Sequence, residues 1–143
     1  LKLWGKVQNG VIETATSPSI TAQCIRVPVT DGHLAAVYVT FRQKPTEAEI
    51  KEIWTQYKGR AQELALPSAP QQFLRYFEEQ DRPQTRLDRD LEGGMAVSLG
   101  RLRPDNQYDY KFIGLAHNTL RGAAGGAVLL AELLCAEGYI TTK

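Results

Sequence analysis

The sequence predicts an α+β domain in which a largely antiparallel sheet carries helices packed on one face. Three observations support this class. Four apolar stretches are rich in β-branched and aromatic residues, turn residues divide them into two pairs, and two other segments have helical spacing. The length of 143 residues suits one domain, and no repeat or Pro/Gly-rich linker divides the chain. Residues 1–143 are therefore interpreted as a single domain.

The first predicted strand pair occupies residues 20–29 (ITAQCIRVPV) and 34–41 (LAAVYVTF). The Thr-Asp-Gly sequence at residues 30–32 has the chemistry of a turn. We therefore expect two adjacent antiparallel strands. Residues 1–10 are expected to form a frayed end.

A helix is predicted over residues 47–57. Thr46 suits the N-cap, Glu49 occupies the capping-box position, and Gly59 suits a left-handed C-cap. Apolar residues recur at helical spacing along this segment: Ile50, Ile53, Trp54 and Tyr57. Residues 72–77 suit a short strand, although their propensities are also compatible with a helix.

A second strand pair is predicted over residues 95–102 (MAVSLGRL) and 108–115 (YDYKFIGL), with a turn at residues 103–106. The preceding segment 81–90 (DRPQTRLDRD) is dense in charge and contains Pro83. It is therefore expected to be a loop, either on the surface or at a subunit contact.

The C-terminal part of the chain predicts a buried helix over residues 123–138, because Ala, Val and Leu dominate there and polar residues are few. Gly138 is the expected stop. The apolar residues that suggest the helix are Val128, Leu129, Leu133 and Tyr139.

The charge balance argues against two classes of partner. There are 17 Lys and Arg residues against 16 Asp and Glu residues, a net charge of +1, and the two signs alternate along the chain. Such a chain offers no strong field to a nucleic acid or an anionic membrane. The longest apolar stretch, residues 125–136, is interrupted by Glu132 and is shorter than the roughly 18 residues that span a bilayer. We expect neither nucleic acid nor membrane as a partner.

Cysteine usage and the chain start suggest location and origin. Two cysteines do not make a disulfide framework, and no secretory signal is visible, so a reducing cytoplasm is expected. The first residue is Leu1 and the only methionine is Met95. We therefore expect a fragment or a processed chain.

The residue pair Arg26 and His33 is the first candidate for chemistry. In a tight hairpin the two would lie nearly opposite each other, with Cβ atoms about 5 Å apart. A guanidinium suits a carboxylate or phosphate, and an imidazole exchanges protons near neutral pH. The alternatives are that Arg26 meets solvent, with Pro28 shifting the register, and that His33 and His117 are ordinary half-exposed histidines.

The cysteines and the glycine-rich segment are expected to have packing roles. Cys24 and Cys135 lie in apolar segments and are expected to fill the core. No spacing of Cys and His residues matches a metal site, so no metal is expected. The glycine-rich residues 122–126 permit close approach of a backbone or a ligand, and helix packing is favoured over cofactor binding on spacing alone.

Four segments together resemble the C-terminal part of aspartate-semialdehyde dehydrogenase, in the branch found in archaea and fungi. They are residues 24–33 (CIRVPVTDGH), 81–90 (DRPQTRLDRD), 93–103 (GGMAVSLGRLR) and 115–132 (LAHNTLRGAAGGAVLLAE). The resemblance extends over nearly the whole chain from about residue 20. It implies a fold like the C-terminal domain of glyceraldehyde-3-phosphate dehydrogenase.

The resemblance also implies roles for particular residues. Arg26 would hold the substrate carboxylate and His33 would be the acid/base catalyst, while Asn118 and Gly122 would contact the nicotinamide cofactor, NADP. The implied reaction is reductive dephosphorylation of L-aspartyl 4-phosphate, an acyl phosphate, to L-aspartate 4-semialdehyde on the route to lysine, methionine and threonine. A homodimer or homotetramer is the implied assembly.

In this family the nucleophilic cysteine and the nucleotide-binding segment lie upstream of the matching region. The chain alone is therefore expected to be inactive. The resemblance implies that the helix at residues 123–138 packs on that nucleotide-binding domain and leaves an apolar face without it. The alternatives are a related acyl-phosphate reductase and a non-catalytic dimerisation module.

Overall fold

A computed structural model describes residues 1–141. Six strands and five helical segments follow a 3₁₀ turn at Lys2–Trp4. In chain order they are β1 Lys6–Gln8, β2 Val11–Glu13, β3 His33–Val39, α1 Glu47–Gln56, α2 Arg60–Glu63, β4 Leu74–Phe77, α3 Thr85–Asp88, α4 Leu91–Gly94, β5 Val97–Pro104, β6 Tyr110–Ala116 and α5 Ala124–Ala136. The helical segments α2, α3 and α4 are single turns.

The main sheet has the strand order β3-β6-β5-β4. Strand β6 pairs antiparallel with both β3 and β5, and β4 pairs parallel with β5. This confirms the α+β class, the hairpin of β5 and β6, and the strand interpretation of residues 72–77. The single parallel pair exists because the chain between β4 and β5 crosses over instead of turning back directly.

The first predicted hairpin is wrong. Residues 14–32 form neither helix nor strand, and β3 pairs with the distant strand β6. Pro28 explains part of this result, since it has no N–H to donate to a sheet. Around it, the Val29 N–H donates to the Val27 carbonyl at 2.9 Å, a tight turn that bends the segment away from a strand path.

A small hairpin, β1 with β2, occupies the N-terminal region that was expected to fray. Asn9 and Gly10 connect its strands with φ angles of 51° and 78°. Positive φ at both central positions is typical of the two-residue hairpin turn that Asn-Gly favours. The Asn-Gly dipeptide is the local sequence signal for this turn.

Helix α1 confirms its predicted start. The Thr46 hydroxyl accepts a hydrogen bond from the Glu49 N–H at 3.2 Å, and the Glu49 carboxylate accepts one from the Thr46 N–H at 2.7 Å. Its predicted stop is wrong, because Gly59 has φ −90° and precedes α2 instead of capping α1.

The main core lies between α1 and one face of the sheet. Ile50 of α1 is buried against Leu102 and Tyr110. Trp54 packs against the aromatic rings of Tyr76 and Phe112, with ring centroids 5.7 and 5.0 Å away. This packing attaches α1 to β4, β5 and β6.

The opposite face of the sheet is covered in part by residues 81–88. Asp88 is only 1% exposed and forms an ion pair with Arg82, whose guanidinium stacks 4.5 Å from the Phe77 ring centroid. Gly100 leaves room for the Arg82 carbonyl against the sheet. The expectation of a plain surface loop is therefore wrong for Asp88, because a buried carboxylate is stable when an arginine and backbone amides satisfy it.

The rest of this second face is open. The register of β3 with β6 places Leu34, Ala36 and Tyr38 on it together with Ile113. Leu34 and Tyr38 are each 54% exposed. We call these four residues the open sheet face.

Helix α5 starts at Ala124 and ends at Ala136, with Gly138 in the left-handed region at φ 78°, as predicted for the stop. Against the surface of residues 1–141, α5 is not the buried helix that was predicted. Leu129 is buried, whereas Val128 and Leu130 are 52% and 55% exposed. The apolar face expected from the resemblance is therefore present.

Candidate functional site

Two of the predicted site residues lie at the same end of the main sheet. His33 is the first residue of β3 and pairs in register with Ala116, the last residue of β6. Asn118 follows two residues later, and its Oδ1 accepts a hydrogen bond from the Gly32 N–H at 2.7 Å. The sheet thereby brings the proton-exchanging candidate His33 beside the loop that carries Asn118 and Gly122.

Gly32 fits a restricted space between these segments. It is buried and has φ 107°, which favours glycine. A Cβ atom there would lie 3.1 Å from Leu115 Cδ1 and 3.2 Å from Thr85 Cγ2. The residue directly before His33 is therefore held by packing as well as by Asn118.

Two further side chains hold Asp31. The Thr119 hydroxyl donates to Asp31 Oδ1, and the Arg89 guanidinium donates to the Asp31 carbonyl, both at 3.4 Å. Neither Thr119 nor Arg89 was among the candidates from the sequence. Nothing local identifies them, since they lie 88 and 58 residues from Asp31 along the chain.

His117 is buried, which differs from the half-exposed histidine considered from the sequence. Its Nδ1 accepts a hydrogen bond from the Leu120 N–H at 3.3 Å, so Nε2 carries the proton of the neutral ring. Nε2 lies 3.5 Å from Asp90 Oδ1. His117 thus shapes the turn after β6 and also approaches the loop that contains Arg89.

The turn after β6 is also anchored at Arg121. The Arg121 guanidinium stacks over the Phe73 ring at 4.4 Å from its centroid. Burial lowers the pKa of Arg121, a change only partly offset by the phenol of Tyr57. This stacking attaches residues 117–122 to the segment before β4.

Gly122 belongs to the same turn. Its N–H donates to the His117 carbonyl at 2.9 Å, and a Cβ atom would lie 2.6 Å from the Asn118 carbonyl oxygen. A Cβ on Gly125 would lie 2.6 Å from Met95 Sδ. These glycines are required by packing within the chain, and contact of Gly122 with a cofactor stays a prediction.

Arg26 does not join His33 through strand pairing. It lies exposed in the irregular residues 14–32, so the cross-strand geometry expected from a hairpin is wrong. Two surface concavities of about 460 and 370 Å³ are lined by other residues, and neither includes Arg26 or His33.

The cysteines are not core residues. Cys24 and Cys135 are both free and exposed, so the prediction that they fill the core is wrong. Cys24 is on the irregular segment, and Cys135 is on the uncovered side of α5. Among residues 1–141, no cluster of three or more His, Cys, Asp or Glu side chains could hold a metal ion. Within the same residues, no helix has the length and apolar character needed to cross a membrane.

Comparison with known protein families shows which family has this sheet and these loops. The family model described as "Semialdehyde dehydrogenase, dimerisation domain" matches residues 1–121. The chain belongs to this family. The match includes the sheet and the His33 and Asn118 loops, and α5 lies beyond it.

Full-length relatives of the dimerisation domain agree with the family. An aspartate-semialdehyde dehydrogenase of Aspergillus fumigatus is 45% identical over 127 residues, which are 85% of this chain and 35% of the relative. One from Archaeoglobus fulgidus is 44% identical over 140 residues, which are 98% of this chain and 39% of the relative. The chain thus spans less than two-fifths of each of these relatives.

A solved structure confirms the fold of the dimerisation domain. The crystal structure of aspartate semialdehyde dehydrogenase with NADP from Candida albicans has a TM-score of 0.84 and 39% sequence identity. The match covers 97% of this chain and 40% of that one. The resemblance noted from the four sequence segments is therefore confirmed at the level of family and fold.

Proposed function

We propose that this domain is the substrate-binding and dimerisation part of an NADP-dependent aspartate-semialdehyde dehydrogenase. The proposed reaction converts L-aspartyl 4-phosphate to L-aspartate 4-semialdehyde, in the biosynthesis of lysine, methionine and threonine. The observation that carries the proposal is the position of His33 beside Asn118 at one end of the sheet, in a chain 45% identical to one such enzyme.

His33 is proposed as the acid/base catalyst. It is exposed at the start of a strand whose preceding residue is held by Asn118 and by packing, so its backbone is rigid while its ring is free to meet a substrate. A neutral imidazole exchanges a proton with a reacting oxygen near pH 7. The nucleophilic cysteine is proposed to come from outside these 143 residues, because in the family that the chain resembles it lies upstream of the matching region.

NADP is proposed as the hydride donor, and Asn118 and Gly122 as the residues of this domain that face it. The Asn118 amide oxygen is used by the Gly32 N–H, which leaves its Nδ2 group as the donor towards a cofactor. Gly122 lies in the same turn as Asn118, which its N–H closes on the His117 carbonyl at 2.9 Å. The nucleotide-binding residues themselves are proposed to lie outside this chain.

Arg26 is proposed to bind the α-carboxylate of the substrate. Its segment leads directly into the Asp31 and Gly32 loop that is anchored beside Asn118, and Arg26 precedes His33 by seven positions in an exposed stretch without helix or strand. A guanidinium holds a carboxylate through two parallel hydrogen bonds.

The test uses the complete dehydrogenase that contains this domain. His33→Ala is expected to lower turnover by about 10² to 10⁴-fold, as loss of a general acid/base does. Arg26→Lys is expected mainly to raise KM for the acyl phosphate, with Arg42→Lys, another exposed arginine, as the matched control. Turnover within twofold of wild type for His33→Ala would refute the catalytic role.

The same enzyme decides between the alternatives. Faster turnover of a different acyl phosphate would identify a related acyl-phosphate reductase. Absence of turnover with any acyl phosphate, together with intact self-association, would identify a dimerisation module.

The open sheet face is proposed as the contact between two copies of the chain, in a homodimer or within a homotetramer. Its apolar side chains Leu34 and Tyr38 are half exposed on the same face of the sheet, and grouped exposed apolar side chains are typical of an interface. Leu34→Asp is expected to shift the enzyme towards monomer in sedimentation velocity. The control Leu3→Asp changes a residue that is 97% exposed far along the chain and should leave the oligomer intact.

The cytoplasm is proposed as the location. The two free cysteines support it, since unpaired thiols persist in a reducing compartment. Detection of the enzyme only in an oxidising compartment after cell fractionation would contradict this proposal.

A further inference from the structure

We propose that Asn118 is a positioning residue for His33, which it orients through its hydrogen bond with the Gly32 N–H. This role is separate from any contact that Asn118 makes with a cofactor. The inference rests on the proposed function, because it gives His33 a catalytic geometry to maintain.

The contact itself is short and joins two segments that are far apart in the chain. Asn118 Oδ1 and Gly32 N are 2.7 Å apart, although the two residues are separated by 86 positions in the chain. Gly32 is buried, so its N–H has no easy access to water if the amide oxygen is removed. A buried donor that loses its acceptor moves or recruits solvent, and either change displaces the adjoining residue.

His33 is sensitive to such a displacement because it starts its strand. Its pairing with Ala116 is the last rung of the ladder between β3 and β6, and the chain before it is irregular. The flanking bonds to Asp31, from Thr119 and Arg89, are both 3.4 Å long and therefore weaker than the Asn118 contact. Asn118 is thus the main polar restraint at the entry to β3.

The arrangement also links two parts of the proposed site. Asn118 lies in the turn that the Gly122 N–H closes by donating to the His117 carbonyl at 2.9 Å. We expect the residues of this turn to move together. A shift of the turn is transmitted to the Gly32 N–H and from there to the backbone of His33. The amide of one residue therefore joins the turn after β6 to the acid/base residue.

The test compares two substitutions in the complete dehydrogenase. Asn118→Leu has nearly the same volume but no acceptor, whereas Asn118→Asp keeps an oxygen acceptor for the Gly32 N–H and loses the Nδ2 donor. Asn106→Leu, in the exposed turn after β5, is the matched control. The measurements are kcat at saturating NADP and acyl phosphate, and kcat as a function of pH.

Asn118→Leu is expected to lower kcat on the order of tenfold or more, as small misplacements of catalytic groups do, and to shift the limb of the pH profile that His33 produces. Asn118→Asp removes the Nδ2 donor that is proposed to face NADP, so its effect on the Gly32 contact is measured by hydrogen exchange and not by kcat. Asn106→Leu is expected to match wild type in kcat. If Asn118→Leu leaves both kcat and the pH profile at their wild-type values, the positioning role is overturned.

A double-mutant cycle tests whether Asn118 acts through His33. In a His33→Gln background, Asn118→Leu should lower the rate by a clearly smaller factor than it does with His33 present, because the group that it positions is already lost. An equal fall in both backgrounds overturns the positioning role while leaving the proposed function intact. Wild-type turnover of His33→Gln alone overturns the proposed function, and the positioning role with it.

A readout without turnover completes the test. Hydrogen exchange of the peptide containing residues 31–34 should quicken in Asn118→Leu and stay near wild type in Asn118→Asp. Unchanged exchange in Asn118→Leu would overturn the inference even if His33→Gln is too slow to assay.

Discussion

Asp88 provides the sharpest test of how the charged segment is attached to the sheet. Its carboxylate accepts hydrogen bonds from Arg82 Nε at 2.8 and 3.0 Å and from the Gln84 N–H at 2.7 Å, and it pairs with the second guanidinium nitrogen as well. The Asp88 carbonyl also accepts a bond from the Ser98 hydroxyl on β5 at 3.3 Å. We predict that Asp88→Ala strongly destabilises the domain.

The size of the effect follows from what the substitution leaves behind. Removing one partner of a buried ion pair costs about 3–5 kcal/mol. Because the Arg82 side chain is still 23% exposed and can rehydrate, the lower end, about 3 kcal/mol, applies. With a urea m value of about 2 kcal/mol/M, the unfolding midpoint should fall by about 1.5 M.

The assay is urea unfolding followed by far-UV circular dichroism. Asp81→Ala is the matched control, since Asp81 lies in the same segment but is exposed and should change the midpoint by less than about 0.3 M. Asp88→Asn, which keeps the volume and an acceptor, should fall between the two. Equal midpoints for Asp88→Ala and Asp81→Ala would refute the reasoning.

The pH dependence has a definite sign. Desolvation alone would raise the pKa of Asp88, but hydrogen bonds from Arg82 and the Gln84 N–H, with the arginine charge, hold it below its ordinary value of 3.8. The stabilisation is therefore present above about pH 4 and is lost as pH falls through the lower folded pKa. The stability gap between wild type and Asp88→Asn should be constant from pH 7 to 5 and should narrow below pH 4.

Three further predictions test other parts of the fold. Thr46→Ala removes the capping oxygen of α1 and should cost about 1 kcal/mol in urea unfolding, and no change would contradict the capping box. The pKa of Asp105 is lowered to about 2 by the Lys111 ammonium at 2.8 Å and by two backbone amides, so Asp105→Asn should flatten the loss of stability between pH 4 and 2. Gly125→Ala should lower the free energy of unfolding of the domain by about 1–3 kcal/mol, because its Cβ would meet Met95 Sδ at 2.6 Å, and this outweighs the better helix propensity of alanine. A raised Tm would show instead that the start of α5 adapts to the added methyl group.

Local chemistry made parts of the fold predictable. The capping box of α1, the hairpin of β5 and β6, and the glycine stop after α5 each depend on residues a few positions apart, so short patterns identify them. The Asn9 and Gly10 turn belongs to the same class and was available in the sequence. Family membership was also accessible, since it rests on residue identities in four segments.

In the candidate site, too, residue types were predictable from the sequence, whereas the contacts between distant residues were not. His33 was a candidate from its residue type and position, and Asn118 came from the resemblance. The sequence alone could not join them, because their meeting depends on β3 pairing with β6 across about 80 residues. The prediction of a hairpin for residues 20–29 was wrong because the apolar pattern of the sequence indicates which residues prefer a strand but not which strand they pair with. For the same reason, Arg26 was given a neighbour that the fold does not supply.

The sequence by itself determined the local elements, the family and the residue types available for acid/base chemistry. Only the tertiary structure decided that Asp88 is buried with Arg82, that part of one sheet face stays open, and that Asn118 holds the residue before His33. The physical reason is that capping and turn preferences act within a few residues of one chain segment. Burial, ion pairing and strand partnership arise only when distant segments compete for the same space and the same hydrogen bonds.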